Sequence, residues 1–218
     1  MNILILGATG LVGNDCLTIL QNQSNIDLII CPTRRKLQPH LKLINPDFNT
    51  WLNDIKINPH ILENIDAVIC CLGSTIKLAR SKENFKQIDH GLVIKIASIC
   101  KQVNVKSFAY NSSIGANIHS KQLYIYTKAL VEKELTDLNF EKLTIVRPSL
   151  LSGQSRPEFR LGEWISIQLT KVLNPIIPKK YRSIKTQQVA KVLCAYSTQA
   201  INNTNQIILE SDQLQDFI

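Results

Sequence analysis

Three observations predict an α/β fold built on a doubly wound parallel sheet. The chain opens as an apolar strand that runs into three glycines spaced three apart and then into helix-forming sequence: Met1-Asn2-Ile3-Leu4-Ile5-Leu6-Gly7-Ala8-Thr9-Gly10-Leu11-Val12-Gly13. Strand-like runs and helical periodicities then alternate, which predicts right-handed βαβ crossovers. The 218 residues, 44% of them hydrophobic, suffice to bury one full core. Residues 1–218 are expected to form a single domain, with a core over 1–147 and a small C-terminal cap over 148–218.

The elements follow in order. Strand one is Asn2 to Leu6, and a helix runs from about Leu11 to Gln21. Ile26 to Cys31 is an apolar strand ending at Pro32, and Leu41 to Ile44 is a short third strand before the Pro46-Asp47 turn. Ile65 to Leu72 is nearly all apolar, as a strand covered on both faces should be. Glu83 to Val103 has helical periodicity, with Phe85, Ile88, Leu92, Ile96 and Ile99 on one side. Val105 to Tyr110 is strand five, Ser120 to Leu138 a helix and Leu143 to Val146 strand six. Beyond Pro148, helices are expected over about Gly162 to Leu173 and Gln187 to Ser197, with a strand-like run over Gln206 to Leu209.

The glycine turn carries the first functional signal. Gly7 permits the bend out of the strand, Gly10 lets backbone approach a pyrophosphate, and Gly13 removes a side chain where helix meets sheet. The helix start, with Thr9, Leu11 and Val12, would hold phosphates on its exposed N–H groups. This is a dinucleotide-binding turn, which makes 1–147 a dinucleotide-binding core and 148–218 a substrate-side cap. Strand two ends in Thr33-Arg34-Arg35, about 20 residues past the glycines, where an acidic residue would suit a free ribose and arginine suits a 2′-phosphate. A guanidinium can fork onto that phosphate, so Arg34 and Arg35 point to NADP(H) over NAD(H). Strand four ends Cys71-Leu72-Gly73, where Gly73 would let the cofactor pass close to the backbone.

The candidate chemistry follows strand five, in Asn111-Ser112-Ser113, and on the next helix, where Tyr124 and Lys128 stand one turn apart on a shared face. A free phenol, with a pKa of about 10, exchanges protons poorly at neutral pH, and a neighbouring ammonium stabilises the phenolate. Ser113 would hold a substrate oxygen by hydrogen bonding.

Several classes of function are disfavoured. The six cysteines lack Cys-x-x-Cys spacing and several fall in apolar runs, so they read as buried hydrophobes of a cytoplasmic protein without disulfides. The four histidines lie far apart, which gives no metal site. The start lacks the features of a secretory leader, and no run approaches the roughly 18 apolar residues of a membrane span. The formal charge of +8 is spread over 25 scattered basic residues, so nucleic acid is not the expected partner.

At this level the chain resembles short-chain dehydrogenases/reductases of the atypical branch, in particular small oxidoreductase-like proteins related to the Tat-interacting protein of animals. The matching stretches are Gly7 to Gly13, Cys71 to Thr75, Ser81 to Phe85 with Asp89, Ser112 to Ala116, Tyr124-x-x-x-Lys128, Arg147 to Gly153, and Arg156-x-Glu158-x-Arg160-x-Gly162-Glu163. The resemblance implies a Rossmann-like fold with Ser113, Tyr124 and Lys128 as the catalytic set and Ser112 beside them. It also implies that Tyr124 and Lys128 contact the cofactor, and that Pro148, Leu150 and Leu151 line the nicotinamide end. The family commonly has glycine after the lysine, where this chain has Ala129. About 70 residues follow Pro148, few for a nucleotide-sugar domain, so a small-molecule substrate is expected.

The expected function is therefore NADP(H)-dependent oxidation and reduction of a small carbonyl or hydroxyl compound. The alternative is a non-catalytic NADP(H)-binding module that couples dinucleotide binding to a protein partner. The helices after strands four and five are the faces on which a homodimer would form.

Overall fold

The computed structural model describes residues 1–152, 178–198 and 206–217. Its strands are β1 (Asn2–Leu6), β2 (Leu28–Ile30), β3 (Leu43–Ile44), β4 (Ala67–Cys70), β5 (Ser107–Asn111), β6 (Lys142–Arg147), β7 (Leu151–Ser152), β8 (Ile184–Lys185) and β9 (Gln206–Glu210). Seven of them form a parallel sheet in the order β3-β2-β1-β4-β5-β6-β9, and β7 pairs with β8 in a separate parallel ribbon. The order reverses between β1 and β4, which opens a crevice at their carboxyl ends. The predicted doubly wound sheet is the one that forms.

Helices cover both faces: α1 (Leu11–Gln21), α2 (Phe48–Ile57), α3 (Ile76–Ala79), α4 (Lys82–Lys86), α5 (Leu92–Gln102), α6 (Leu123–Asp137), α7 (Thr186–Thr198) and α8 (Ser211–Asp216). Alternate strand residues point to opposite faces. Ile3, Ile5, Ala67, Ile69 and Ala109 meet α1 and α7 through Cys16, Leu17, Leu20, Val189, Ala190 and Leu193. Leu4, Leu6, Val68, Cys70, Phe108 and Tyr110 meet α2, α5 and α6 through Trp51, Val93, Ile96, Val131 and Leu135.

Three departures from expectation have physical causes. The sequence reading has only a turn at Pro46-Asp47, yet Asp47 caps α2: its Oδ1 accepts from the Asn49 and Thr50 N–H groups at 3.0 Å each. The helix after β4 is broken by a π turn at Gln87–Gly91. That turn adds a residue, so the buried stripe runs Phe85, Asp89, Val93, Ile96, Ala97 and Cys100. Third, part of the expected 148–218 cap belongs to the body of the fold. The α7 helix packs against α1 through Leu193 and Cys194, and β9 extends the main sheet beside β6. The helix expected over Gly162 to Leu173 lies outside the described residues, and no helix among those described is long and apolar enough to cross a membrane.

Candidate active site

The glycine turn lies at the switch point between β1 and β4. Gly7 has φ +83°, and a Cβ built there would stand 2.6 Å from the Cys71 carbonyl oxygen. A Cβ on Gly13 would strike the carbonyl oxygen of Gly7. Three backbone segments thus pack with no room for a methyl group. Gly10 caps α1 without a side-chain hydrogen bond, and the first turn holds no acidic residue. The positive helix end, with no acidic side chain in its first turn, suits an anion, as a pyrophosphate cradle requires. Thr9 and Leu11 are half-buried at this turn, and Val12 packs inward.

Arg34 and Arg35 are exposed on the loop after β2, the strand that pairs with β1. A side chain absent from the sequence reading shapes this loop. Asn45 Nδ2 donates to the Cys31 carbonyl at 2.6 Å and to Thr33 Oγ1 at 2.7 Å, and Asn45 Oδ1 accepts from the Leu37 N–H at 2.8 Å. Thr33 Oγ1 donates in turn to the Arg35 carbonyl at 2.6 Å. The two arginines therefore ride on a stapled backbone.

Tyr124 and Lys128 stand where their spacing predicts, on the first turns of α6. Tyr124 is 39% exposed and packs its ring 6.2 Å from that of Phe85, centroid to centroid. Lys128 is buried, with its Nζ 5.8 Å from the Tyr124 ring centroid. It donates a 3.1 Å hydrogen bond to the Tyr110 hydroxyl on β5 and lies 3.6 Å from Asp89 Oδ1. Asp89, fully buried by the π turn, accepts the Ser74 N–H at 2.7 Å through Oδ2, while its Oδ1 has no hydrogen-bond partner. The loop end at Gly73 roofs this pair: a Cβ there would lie 3.5 Å from Asp89 Oδ1 and 3.6 Å from Lys128 Nζ, ordinary contacts. Leu72 is half-buried beside it.

The electrostatics follow from burial. Desolvation raises the Asp89 carboxyl above its ordinary value, against the opposing pull of Lys128 and the Ser74 amide. Burial alone would pull the Lys128 ammonium down, but Tyr110, Tyr124 and Asp89 outweigh it and hold Lys128 above the usual lysine range. The result is a fixed positive charge beneath Tyr124.

The serines separate in role. Ser112 is buried and its hydroxyl donates to Glu132 on α6, so that side chain serves the scaffold. Ser113 is half-buried, and among the described residues its hydroxyl makes only a long 3.4 Å bond to the Ile114 carbonyl. Glu132 in turn receives Arg147 Nε at 3.0 Å, and Arg147 Nη1 reaches Glu210 at 3.0 Å. This network ties β5, α6, β6 and β9 together. It borders a cavity of about 570 Å³ between α6 and β9, lined by Ile114, Ala129, Glu132, Arg147, Ile208 and Glu210 among others. That cavity contains none of the glycine turn, Tyr124 or Lys128.

The exit from β6 is held by its backbone. The Pro148 carbonyl accepts the Ile114 N–H at 2.9 Å, and the Leu150 carbonyl accepts the Ile184 N–H at 3.0 Å. Pro148 is buried, Leu150 exposed and Leu151 half-buried against the α1–α7 core. In the basic cluster at 179–182, Lys179 pairs with Asp216 and Lys180 with Glu210. Gly153, Arg156, Glu158, Arg160, Gly162 and Glu163 lie outside the described residues.

Known proteins resemble this chain in sequence and in fold. Protein FMP52, mitochondrial, of Candida albicans is 33% identical over 172 residues, 76% of this chain and 74% of the relative. Among solved structures, MoeE5 in complex with UDP-glucuronic acid and NAD superposes with TM-score 0.72 at 17% identity, covering 96% of this chain and 75% of that one. A putative NAD-dependent epimerase/dehydratase from Bacillus halodurans gives TM-score 0.64 at 20% identity over the whole of both chains. These structural likenesses show the fold. The relatives correct one expectation: those from Candida albicans, Kluyveromyces lactis and Aspergillus niger are named as mitochondrial, which overturns the cytoplasmic reading. Buried free thiols report shielding of sulfur by the fold and do not identify a compartment. The sequence model described as NAD(P)H-binding matches residues 7–199, and the chain belongs to that NAD(P)H-binding family.

Proposed function

We propose that the protein is an NADP(H)-dependent oxidoreductase of the atypical short-chain dehydrogenase/reductase type, in the group related to the Tat-interacting protein, acting on a small carbonyl or hydroxyl compound. The observation that carries this reading is the buried Lys128 ammonium, held by Asp89 and Tyr110 beneath the accessible Tyr124. When bound, the nicotinamide supplies the hydride. Tyr124 gives its hydroxyl proton to the substrate oxygen, Ser113 hydrogen-bonds that oxygen, and the Lys128 charge stabilises the phenolate left behind. Arg34 and Arg35 take the 2′-phosphate, the Gly7–Gly13 turn holds the pyrophosphate, and Pro148, Leu150 and Leu151 line the nicotinamide end.

Tyr124→Phe is expected to lower carbonyl-dependent NADPH oxidation by about 10²–10⁴-fold while leaving NADPH affinity within about twofold. Turnover retained by that variant refutes the assignment. NADPH binding without turnover on any carbonyl favours a binding module that couples the dinucleotide to a protein partner.

The cofactor preference has its own test. In titrations followed by nicotinamide fluorescence, Arg34→Ala/Arg35→Ala is expected to weaken NADPH by about tenfold or more, with NADH little changed. Equal losses for the two cofactors remove the assignment of these arginines.

A further inference from the structure

One carboxamide holds the loop that carries Arg34 and Arg35. The loop begins at Cys31, just past β2, and returns at Leu37; Asn45, just past β3, reaches both legs. Its Nδ2 donates to the Cys31 carbonyl at 2.6 Å and to Thr33 Oγ1 at 2.7 Å, and its Oδ1 accepts the Leu37 N–H at 2.8 Å. These partners fix the orientation of the amide, since a carbonyl can only accept and a backbone N–H can only donate. Both Nδ2 hydrogens are therefore in use. Thr33 Oγ1, having accepted one of them, gives its own proton to the Arg35 carbonyl at 2.6 Å. The arginine segment is thus pinned at every second residue, at positions 33, 35 and 37.

The ends of the loop are anchored without Asn45. The Thr33 N–H donates to the Pro46 carbonyl at 3.1 Å, the Thr33 carbonyl accepts the Phe48 N–H at 3.2 Å, and Leu37 packs its side chain against the α1–α7 core. Loss of the Asn45 amide frees the tip between Thr33 and Leu37 and leaves its ends in place. Arg34 and Arg35 are exposed, and among the described residues no carboxylate pairs with either guanidinium. Their charges are open to an anion from solvent.

We propose that Asn45 is a positioning residue for the choice of dinucleotide: by ordering the tip before a ligand arrives, it sets the preference for a 2′-phosphate over a free 2′-hydroxyl. The inference rests on the reading of Arg34 and Arg35 as the phosphate contacts. A guanidinium fork on a phosphate needs its backbone in one place, and a loop that must order on binding gives up affinity to that ordering. Here the tip orders when the chain folds, offset by the hydrogen bonds of the amide. NADH carries no phosphate at that position and gains little from a pinned tip. Asn45 should therefore move selectivity, with little effect on pyrophosphate binding at the Gly7–Gly13 turn.

The test measures NADPH and NADH affinity by nicotinamide fluorescence, thermal unfolding, and tryptic cleavage after Arg34 and Arg35 without cofactor. Asn45→Ala is expected to weaken NADPH by about five- to tenfold and NADH by less than about twofold. Trypsin should cut that variant at Arg34 and Arg35 several-fold faster than wild type, a change that needs no dinucleotide. In the Arg34→Ala/Arg35→Ala background, Asn45→Ala should weaken NADPH no further, because a residue that acts through others is not additive with them. Should Asn45→Ala fail to fold, Thr33→Val tests the same link: it replaces only the hydroxyl between Asn45 and the Arg35 carbonyl and should shift selectivity in the same direction, while Thr33→Ser keeps it. Equal losses for the two cofactors, an undiminished loss in the arginine-free background, or unchanged cleavage overturns the proposal. If Arg34→Ala/Arg35→Ala itself loses both cofactors equally, the phosphate reading fails and this inference with it. If that variant is selective and Asn45→Ala is not, this inference alone fails.

Discussion

Replacing Asp89 with alanine should destabilise the fold by about 3–5 kcal/mol, because it strands the Lys128 ammonium where its side chain is only 4% exposed. Lys128→Met should be similarly damaging, since it leaves the Asp89 carboxylate buried with no positive partner, held by the Ser74 N–H. The double variant Asp89→Ala/Lys128→Met removes both charges and should lose far less than the sum of the singles, as expected when a buried ion pair is exchanged for apolar groups. Urea denaturation of the four members of this cycle reads the coupling directly. Additive losses would show that the two groups do not act as a pair. The pH dependence has a defined sign. Desolvation raises the Asp89 carboxyl in the folded chain, so from the ordinary carboxylate value near 4 up to the raised value the folded state holds the extra proton. Stability contributed by that proton falls as pH rises through this window and is level above it. Asp89→Asn should lack the slope, and identical pH profiles for wild type and Asp89→Asn would sink the assignment.

How much of this was legible in the sequence depends on how local each cause is. The first strand, the turn and α1 are dictated by neighbours: an apolar run, a glycine that must take positive φ, and an inward face of Val12, Cys16, Leu17 and Leu20. The run around β4 reads correctly because both of its faces are covered, one by the α1–α7 core and one by the α2–α5–α6 core. The α2 helix escaped because it buries only Trp51 and Ile55, too few to set a period, and its Asp47 cap reads equally well as a turn. Tyr124 and Lys128 were found by helical spacing, but their support comes from elsewhere in the chain. Asp89 sits 39 residues before Lys128 and Tyr110 sits 18 before it. The signal for Asp89 was present as a lone acid at i+4 from Phe85 and i−4 from Val93, on a stripe otherwise apolar. The Glu132–Arg147–Glu210 network joins residues 15 and 63 positions apart, a separation that no periodicity reports.

Gly13→Ala should destabilise the protein by about 3 kcal/mol, the upper end for overpacking, and should weaken dinucleotide binding by tenfold or more. The new methyl would strike the Gly7 carbonyl oxygen, an atom with nowhere to retreat. Gly7 is already held at φ +83°, with the Cys71 carbonyl closing the opposite side of its Cα at a distance that excludes a side chain. Relief must therefore come from α1 moving off β1, which opens the α1–α7 core around Cys16 and Leu17 and tilts the helix N-terminus away from the anion position. Gly91→Ala is the matched control. Gly91 has helical φ and ψ of −56° and −42°, and a methyl there meets nothing within 4 Å. The same substitution should stabilise the chain at that site by about 0.5–1 kcal/mol, by restricting the unfolded backbone. Denaturation midpoints and NADPH titrations on both variants separate steric exclusion at the turn from a general preference for glycine. If Gly13→Ala behaves like Gly91→Ala in both measurements, α1 does not pack on the turn as closely as its backbone contacts require.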